Sequence, residues 1–202
     1  MKRIDINSKQ THFIGCWNLE NKNLCNEIIN FFDDNKDLHH QGQSGMGKNL
    51  KIKNSIDMTV KPNELKIQKY KILEKYIGEL HKCYLDYVKQ WSFLQSMLKD
   101  IDIGHFNIQK YNPGGHFSGI HSERTSLITL HRLFAWMTYL NNVEDGGETS
   151  FVHYGIKIKP EVGKTLIWPA EWTHAHTGEL VKSGTKYIVT GWMHFPSHEK
   201  NI

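Results

Sequence analysis

The 202-residue sequence is poor in several features that define whole classes of protein. Three cysteines are too few for a disulfide-dense secreted domain, and five prolines with 16 glycines are too few for a collagen-like chain. No segment approaches the roughly 20 consecutive apolar residues of a membrane helix, since even Leu127–Leu140 contains a histidine and an arginine. We therefore expect a soluble globular protein.

Arginine is also scarce, at three residues among 25 basic side chains. The net charge of +4 comes almost wholly from lysines interspersed with acidic residues, which gives no strong signal for nucleic-acid binding. The basic start, Met1–Arg3, is followed by polar residues instead of the apolar core of a secretory leader. Because Cys16, Cys25 and Cys83 form no pairing motif, we expect reduced thiols in a cytoplasmic protein without a membrane anchor.

What the sequence does contain is typical of a globular domain, with 39% hydrophobic, 23% charged and 11% aromatic residues. Leu24–Phe32 has apolar residues at helical spacing, and Pro62–Leu98 predicts one long helix or a broken pair. After Gly104 the pattern changes to short alternating segments separated by turn residues, which predicts strands. The predicted strands are His105–Tyr111, Ile120–Glu123, Leu133–Leu140, Thr149–Val152, Ile156–Lys159, Thr165–Trp168 and Tyr187–His194.

Many short strands without intervening helices predict a sandwich, a barrel or a jelly roll. We expect one domain over 1–202, mainly β with N-terminal helices (α+β), in which about 1–104 is helical support and about 105–196 is the β core. Between the helices, the polar, glycine-bearing segment Gln41–Lys53 predicts a loop or mobile flap. It nearly matches a phosphate-binding loop, but Asn49 stands where a hydroxyl must meet magnesium, so we assign no nucleotide site.

Thirteen histidines raise the question of which of them share a site. His121 and Glu123 lie two residues apart in a predicted strand, so their side chains should point to one face and reach one ion. His176 lies several predicted strands further on, where a jelly roll can supply a third ligand. Two imidazoles and one carboxylate on one face of an octahedral ion leave three positions open, as in non-haem Fe(II) oxygenases.

Five motifs follow one another through the second half of the sequence. They are Tyr111 with His121-x-Glu123; Arg132 with Tyr139-Leu140-Asn141; Gly146-Gly147-Glu148-Thr149-x-Phe151; Pro160 with Gly163; and His176-x-Gly178 with Val181, Gly184 and Lys186. In order and spacing they resemble the prolyl 4-hydroxylase-like Fe(II)/2-oxoglutarate-dependent oxygenases. The resemblance is strong over about 107–195 and weaker at Lys53–Asp57. It implies a double-stranded β-helix, which is a distorted jelly roll, with the helices packed on one sheet.

The resemblance implies that His121, Glu123 and His176 are the three iron ligands. Glu123 departs from the family, whose usual acid is Asp, and its side chain is one methylene longer. Glu still supplies a negative charge and a hard oxygen donor. His174 is an alternative third ligand, since it would share the face of His176 if the segment were extended, but the spacing to Lys186 favours His176.

The same resemblance implies that the Lys186 ammonium pairs with the far carboxylate of 2-oxoglutarate. The apolar neighbours of Lys186 predict a sheltered strand, and a buried ammonium requires an anionic partner. Tyr139 would add a phenol hydrogen bond to that carboxylate, and Tyr111 would line its pocket. Arg132 and Trp192 correspond to positions near the mouth of the site, where substrate is held.

These residues together imply a dioxygenase that uses Fe(II), 2-oxoglutarate and dioxygen, releases succinate and CO2, and hydroxylates a substrate C–H bond. The first expectation for the substrate is a prolyl residue in a peptide or protein. Another amino acid, a small metabolite or a nucleobase is an alternative, because fold does not fix the substrate. A jelly-roll binding module without turnover is a further alternative, although such a module has no need for Lys186.

Overall fold

Helices cover one side of the protein. The computed structural model describes residues 1–6, 11–45, 47–98 and 100–196. The helices are α1 (Lys22–Asp34), α2 (Lys71–Gln90) and α3 (Ser92–Met97), preceded by 3₁₀ turns at Pro62–Lys66 and Gln68–Tyr70. Asn21 caps α1, because its side-chain oxygen accepts a hydrogen bond from the Leu24 amide. The predicted helix at Leu24–Phe32 is thus confirmed, and the second helical region is a broken pair, interrupted where Trp91 is extended.

Strands make up most of the remaining chain. The five strands before α2 are β1 (Lys2–Arg3), β2 (Gly15–Asn18), β3 (His40–Gln41), β4 (Lys53–Asn54) and β5 (Ile56–Val60). The strands that follow α3 are β6 (Asp102–Tyr111), β7 (His116–His121), β8 (Arg132–Tyr139), β9 (Asp145–Gly146), β10 (Thr149–Phe151), β11 (Ile156–Ile158), β12 (Lys164–Pro169), β13 (His176–Gly178), β14 (Val181–Ser183) and β15 (Lys186–His194).

Two antiparallel sheets face each other. The larger sheet has the order β1-β2-β12-β8-β15-β6-β5-β3, and the smaller has the order β11-β10-β13-β7-β4. Side chains along β8 alternate between two hydrophobic cores. Phe134 and Trp136 point toward the helices, whereas Met137 and Tyr139 point between the sheets. This arrangement is the predicted double-stranded β-helix, with its helices packed on one sheet.

The N-terminal part of the chain is less purely helical than the sequence predicts. β2 pairs with β12, and β5 pairs with β6, so both become part of the larger sheet. Strands of two to five residues contain too few alternations to be detected in a sequence. The β core therefore draws on residues from both sides of position 104.

The three cysteines are buried and unpaired. Burial raises the pKa of Cys16 and Cys83 to about 12 and the pKa of Cys25 to about 11. The thiols are therefore protonated at neutral pH. In the described part of the chain, no helix combines the length and apolar character needed to cross a membrane.

Candidate metal centre and its cavity

The three predicted metal ligands meet between the two sheets. β13 pairs with β7 such that His176 is the Cα partner of His121, which sets the two imidazoles side by side. The Glu123 Oε1 atom lies 3.4 Å from Nε2 of His176 and 3.7 Å from Nε2 of His121. One donor atom from each residue thus falls within 4.8 Å of the other two.

Glu123 reaches this position from outside the strand. The prediction that His121 and Glu123 share one strand face is wrong, because β7 ends at His121 and Glu123 lies in the bend that follows. The bend is held by hydrogen bonds from the Glu123 amide to the Ala170 carbonyl and from Arg132 to the Glu123 carbonyl. From this bend the Glu123 side chain extends back to the two imidazoles.

Backbone carbonyls orient both imidazoles. The His121 Nδ1 atom lies 2.8 Å from the Gly119 carbonyl oxygen, and the His176 Nδ1 atom lies 2.9 Å from the His174 carbonyl oxygen. A carbonyl can only accept, so each Nδ1 carries the proton and each Nε2 presents its lone pair to the centre. Phe117 stacks on the His121 ring at a centroid distance of 3.8 Å and further restricts its rotation.

The electrostatics of the centre favour the ligating forms of these side chains. Burial and the neighbouring His176 lower the pKa of His121 to about 4. Burial acts to raise the pKa of Glu123, but the neighbouring His176 and His121 imidazoles outweigh it and bring this pKa to about 2. At neutral pH the site therefore offers a neutral imidazole at His121 and a carboxylate at Glu123. Two nitrogen donors and one oxygen donor on one side of a cavity fit the facial set that holds Fe(II).

Lys186 lies in the wall of the same cavity, which has a volume of about 150 Å³. Its ammonium is buried, donates to the Gly147 carbonyl at 2.9 Å, and lies 4.6 Å from the centre of the Tyr111 ring. Among the described residues, no carboxylate pairs with it. Burial lowers the pKa of Lys186 to about 8, against a weaker opposing effect of Glu148. This cation suits an anionic ligand that enters the cavity.

The two predicted tyrosines differ in their relation to the cavity. Tyr111 lines it and donates its hydroxyl to Gln109 Oε1 at 2.7 Å. Tyr139 is fully buried behind the wall, with its hydroxyl 2.6 Å from Thr149 Oγ1 and 3.1 Å from the Ile158 carbonyl oxygen. The structure thus places Thr149 at the cavity wall, whereas a direct bond from Tyr139 to a cosubstrate stays a prediction.

Arg132 and Trp192 lie on the other side of Glu123. The Trp192 indole Nε1 donates to Glu123 Oε2 at 2.7 Å. The Arg132 guanidinium stacks over the indole at 3.7 Å from the ring centroid. Trp192 lines the cavity, whereas Arg132 lines a neighbouring groove. Their predicted contact with substrate stays a prediction.

Comparison with known proteins agrees with this geometry. Residues 106–194 match the family model of the 2OG-Fe(II) oxygenase superfamily. Over these residues the chain is similar to the 2OG-Fe(II) oxygenases. The chain is 30% identical over 137 residues to the probable prolyl 4-hydroxylase 7 of Arabidopsis thaliana, covering 54% of this chain and 43% of the relative. It is 23% identical over 152 residues to prolyl 4-hydroxylase 13 of the same plant, covering 62% and 56%. The chain thus spans about half the length of the curated relatives it matches.

Solved structures share the fold of the two sheets and their helices. The viral collagen prolyl hydroxylase of Paramecium Bursaria Chlorella virus-1, in its 2OG complex, has a TM-score of 0.66 at 19% identity, covering 92% of this chain and 98% of that one. A Pseudomonas putida prolyl-4-hydroxylase has a TM-score of 0.68 at 16% identity, covering 93% and 95%. The resemblance to prolyl 4-hydroxylase-like oxygenases that the motifs indicate is confirmed.

The alternative ligand His174 points away from the candidate metal centre. It lies in a 3₁₀ turn, Trp172–His174, and not in an extended segment, so it does not share the face of His176. Its Nε2 atom is 2.8 Å from the His12 carbonyl oxygen, and its Nδ1 atom is 3.0 Å from Thr173 Oγ1. The geometry therefore favours His176 as the third ligand.

The predicted flap contributes to the cavity beside the candidate metal centre. Gln43, Ser44 and Lys53 line it, whereas Met46 lies outside the described residues. Lys53 is a cavity residue that the sequence did not identify. Its ammonium is buried and pairs with Asp57 Oδ2 at 2.7 Å. The sequence feature that could have indicated this pair is the spacing of Lys53 and Asp57, a lysine and an aspartate four residues apart.

Proposed function

We propose that the chain is an Fe(II)- and 2-oxoglutarate-dependent dioxygenase that hydroxylates a prolyl residue in a peptide or protein. One observation carries the proposal: a buried ammonium, Lys186, lines the same cavity as His121, Glu123 and His176. Bound Fe(II) would supply the oxidative chemistry, coupling decarboxylation of 2-oxoglutarate by dioxygen to hydroxylation of a C–H bond.

The residues of this chain prepare the site for that chemistry. His121, Glu123 and His176 would hold the metal, with both imidazoles oriented by backbone carbonyls. Lys186 would hold the distal carboxylate of the cosubstrate, which relieves the cost of a buried charge without an anionic partner. Apolar walls from Met137, Trp168 and Ile188 limit the access of water.

The names of the relatives support the prolyl substrate. Both plant relatives are called prolyl 4-hydroxylases, and one structural neighbour is a prolyl hydroxylase in complex with a hypoxia inducible factor peptide fragment. A binding module without turnover is the competing candidate. It would not need a cation buried beside the metal ligands, because that cation costs stability until an anion arrives.

The first experiment is an anaerobic titration of the metal-free protein with Fe(II) and then 2-oxoglutarate. The weak visible absorption band of the Fe(II)–2-oxoglutarate complex should appear with wild-type protein and with His174→Ala, and should be lost with His176→Ala. Lys186→Met should keep Fe(II) binding and weaken 2-oxoglutarate binding by at least about tenfold, since a charge-assisted contact is lost. A band of equal strength in His176→Ala would refute the ligand assignment.

A turnover assay then distinguishes the dioxygenase from the binding module. With a proline-containing peptide, dioxygen and the loaded enzyme, we expect succinate in equal amount to hydroxyproline, measured by mass spectrometry. The matched peptide in which alanine replaces proline should give neither product above the rate without peptide. A complex that forms the visible band but releases no succinate with a set of prolyl peptides, amino acids and nucleobases would favour the binding module.

A further inference from the structure

The two oxygens of the Glu123 carboxylate have different partners. Oε1 faces the metal centre, at 3.4 Å from His176 Nε2 and 3.7 Å from His121 Nε2. Oε2 turns the other way and accepts the Trp192 indole N–H at 2.7 Å. One oxygen of the carboxylate thus faces the metal centre, while the other accepts a hydrogen bond from the protein.

Arg132 fixes the indole that makes this bond. Its guanidinium lies 3.7 Å from the centre of the Trp192 ring, a distance at which stacking and cation–π attraction both act. The same guanidinium donates to the Glu123 carbonyl at 3.0 Å and lies 3.9 Å from Oε2. Arg132 therefore contacts both the backbone of Glu123 and the indole that binds its side chain.

A glutamate needs such support more than an aspartate does. Its carboxylate extends about 1.5 Å further from the backbone, and it has one more rotatable bond, so more orientations are open to it. Glu123 also starts from a bend and not from the strand that carries His121. A hydrogen bond to Oε2 selects one orientation among these, the one in which Oε1 faces both imidazoles.

We propose that Trp192 is a positioning residue for the metal centre: its indole N–H holds Oε2 of Glu123, with Arg132 as its support, so that Oε1 is presented to the metal. The inference rests on the metal centre of the proposed function. It differs from the sequence-based interpretation of Trp192 as a substrate contact, because the single hydrogen-bond donor of the indole is already used by Glu123.

The test uses metal binding alone, without cosubstrate or substrate. Metal-free protein is titrated with Co(II), and the visible Co(II) bands and the Kd are recorded. Trp192→Phe keeps an aromatic ring and loses the donor, so we expect Kd to rise by about 10- to 100-fold, the usual effect of losing a partner of a metal ligand, with altered bands. Arg132→Lys should shift Kd in the same direction by a smaller factor. Trp172→Phe is the matched control, at an exposed tryptophan, and should leave Kd within about twofold.

A second arm separates positioning from general damage to the fold. In a Glu123→Asp background we expect the shorter carboxylate to lose its bond to the indole, so adding Trp192→Phe should change Kd by less than about twofold. An equal loss in both backgrounds would mean that Trp192 supports the fold and would overturn the proposal. Melting temperatures of the metal-free variants check that each one is folded.

The outcomes also distinguish the inference from the proposed function. If Trp192→Phe binds Co(II) with the wild-type Kd and bands while His176→Ala loses binding, the positioning role is refuted and the metal centre stands. If His176→Ala also binds as wild type does, the metal centre itself is refuted, and the inference is refuted with it.

Discussion

Lys186 has an unfavourable environment in the metal-free protein. Its ammonium is buried among aromatic rings with one carbonyl as a hydrogen-bond partner, and burial lowers its pKa to about 8. A charge in this setting opposes folding unless an anion joins it. The same property makes Lys186 selective for an anionic ligand, because a neutral ligand would leave the ammonium unpaired.

This environment predicts a pH dependence of stability. Between pH 8 and the ordinary pKa of 10.5, the unfolded chain holds a proton on Lys186 that the native state has lost. The contribution of Lys186 to the free energy of unfolding therefore rises with pH across this window and is constant below it. Urea unfolding of metal-free protein from pH 7.5 to 10 should show that the free energy of unfolding of wild type, relative to that of Lys186→Met, increases with pH.

The control for this prediction is Lys182→Met, which removes a lysine that is 62% exposed. That variant should follow the wild-type dependence on pH. Identical slopes for Lys186→Met and wild type would show that the native pKa of Lys186 is not lowered.

At the residue scale, the sequence could predict that the three candidate ligands lie together, but not what surrounds them. His121, Glu123 and His176 stand in motifs with a chemical reason for their spacing. The bond from Trp192 to Glu123 could not be predicted, because it depends on the direction of one indole ring. Lys53 was missed because it enters the cavity only through the pairing of β4 with β7.

At the scale of elements, Asp57 joins three strands around one side of the cavity. Its carboxylate accepts from Lys53 at 2.7 Å, from Ser55 at 2.7 Å and from Gln109 at 3.0 Å. Gln109 in turn accepts from Tyr111. The network thus links β4 and β5 to β6, and it connects the end of the flap to the cavity wall.

Asp57→Asn should therefore destabilise the folded protein. The variant keeps the shape of the side chain but leaves the buried Lys53 ammonium without a counter-charge, and we expect a loss of about 3–5 kcal/mol in the free energy of unfolding. The measurement is denaturant unfolding of metal-free protein at neutral pH.

Two further variants test the reason for that loss. Adding Lys53→Met to Asp57→Asn should recover part of the stability, because the unpaired charge is removed. Asp145→Asn, in an exposed pair with Lys182, should cost less than about 1 kcal/mol. A double variant that is less stable than Asp57→Asn would contradict the electrostatic explanation.

The long elements could be predicted from the sequence, and the short ones could not. The alternation in β6, β8 and β15 extends over eight or more residues, so it identifies them as strands. The two-residue strands β4 and β9 have no periodicity to detect. The segment around His174, which would place His174 beside His176 only if it were extended, is a 3₁₀ turn, and a local turn of three residues leaves no periodic pattern.

At the scale of the whole molecule, the larger sheet has a core on each face. Helices α1 and α2 share one core with Phe106, Trp136 and Val189 of the sheet. A buried chain of hydroxyls adds a polar link, since Tyr76 on α2 donates to Thr138, whose Oγ1 lies 2.7 Å from that of Thr165. Separation of the helices from the larger sheet would therefore expose the sheet that supports the metal centre.

We accordingly expect one cooperative unfolding transition. Far-UV circular dichroism, dominated by the helices, and tryptophan fluorescence, dominated by the β core, should give the same midpoint in urea. Saturating Co(II) should raise both midpoints together, because the metal binds only the folded state. Loss of the helical signal at a lower urea concentration would show that 1–104 unfolds as a separate unit.

Chemical labelling of the three buried cysteines can report local opening of the elements that carry them. Cys16 lies in β2, Cys25 in α1 and Cys83 in α2, and their raised pKa values keep the thiols protonated and unreactive while they are covered. An alkylating reagent at neutral pH therefore labels a thiol only after its own element has separated from the core. Peptide mapping of the labelled position then reports which of the three elements opened first, without any engineered probe.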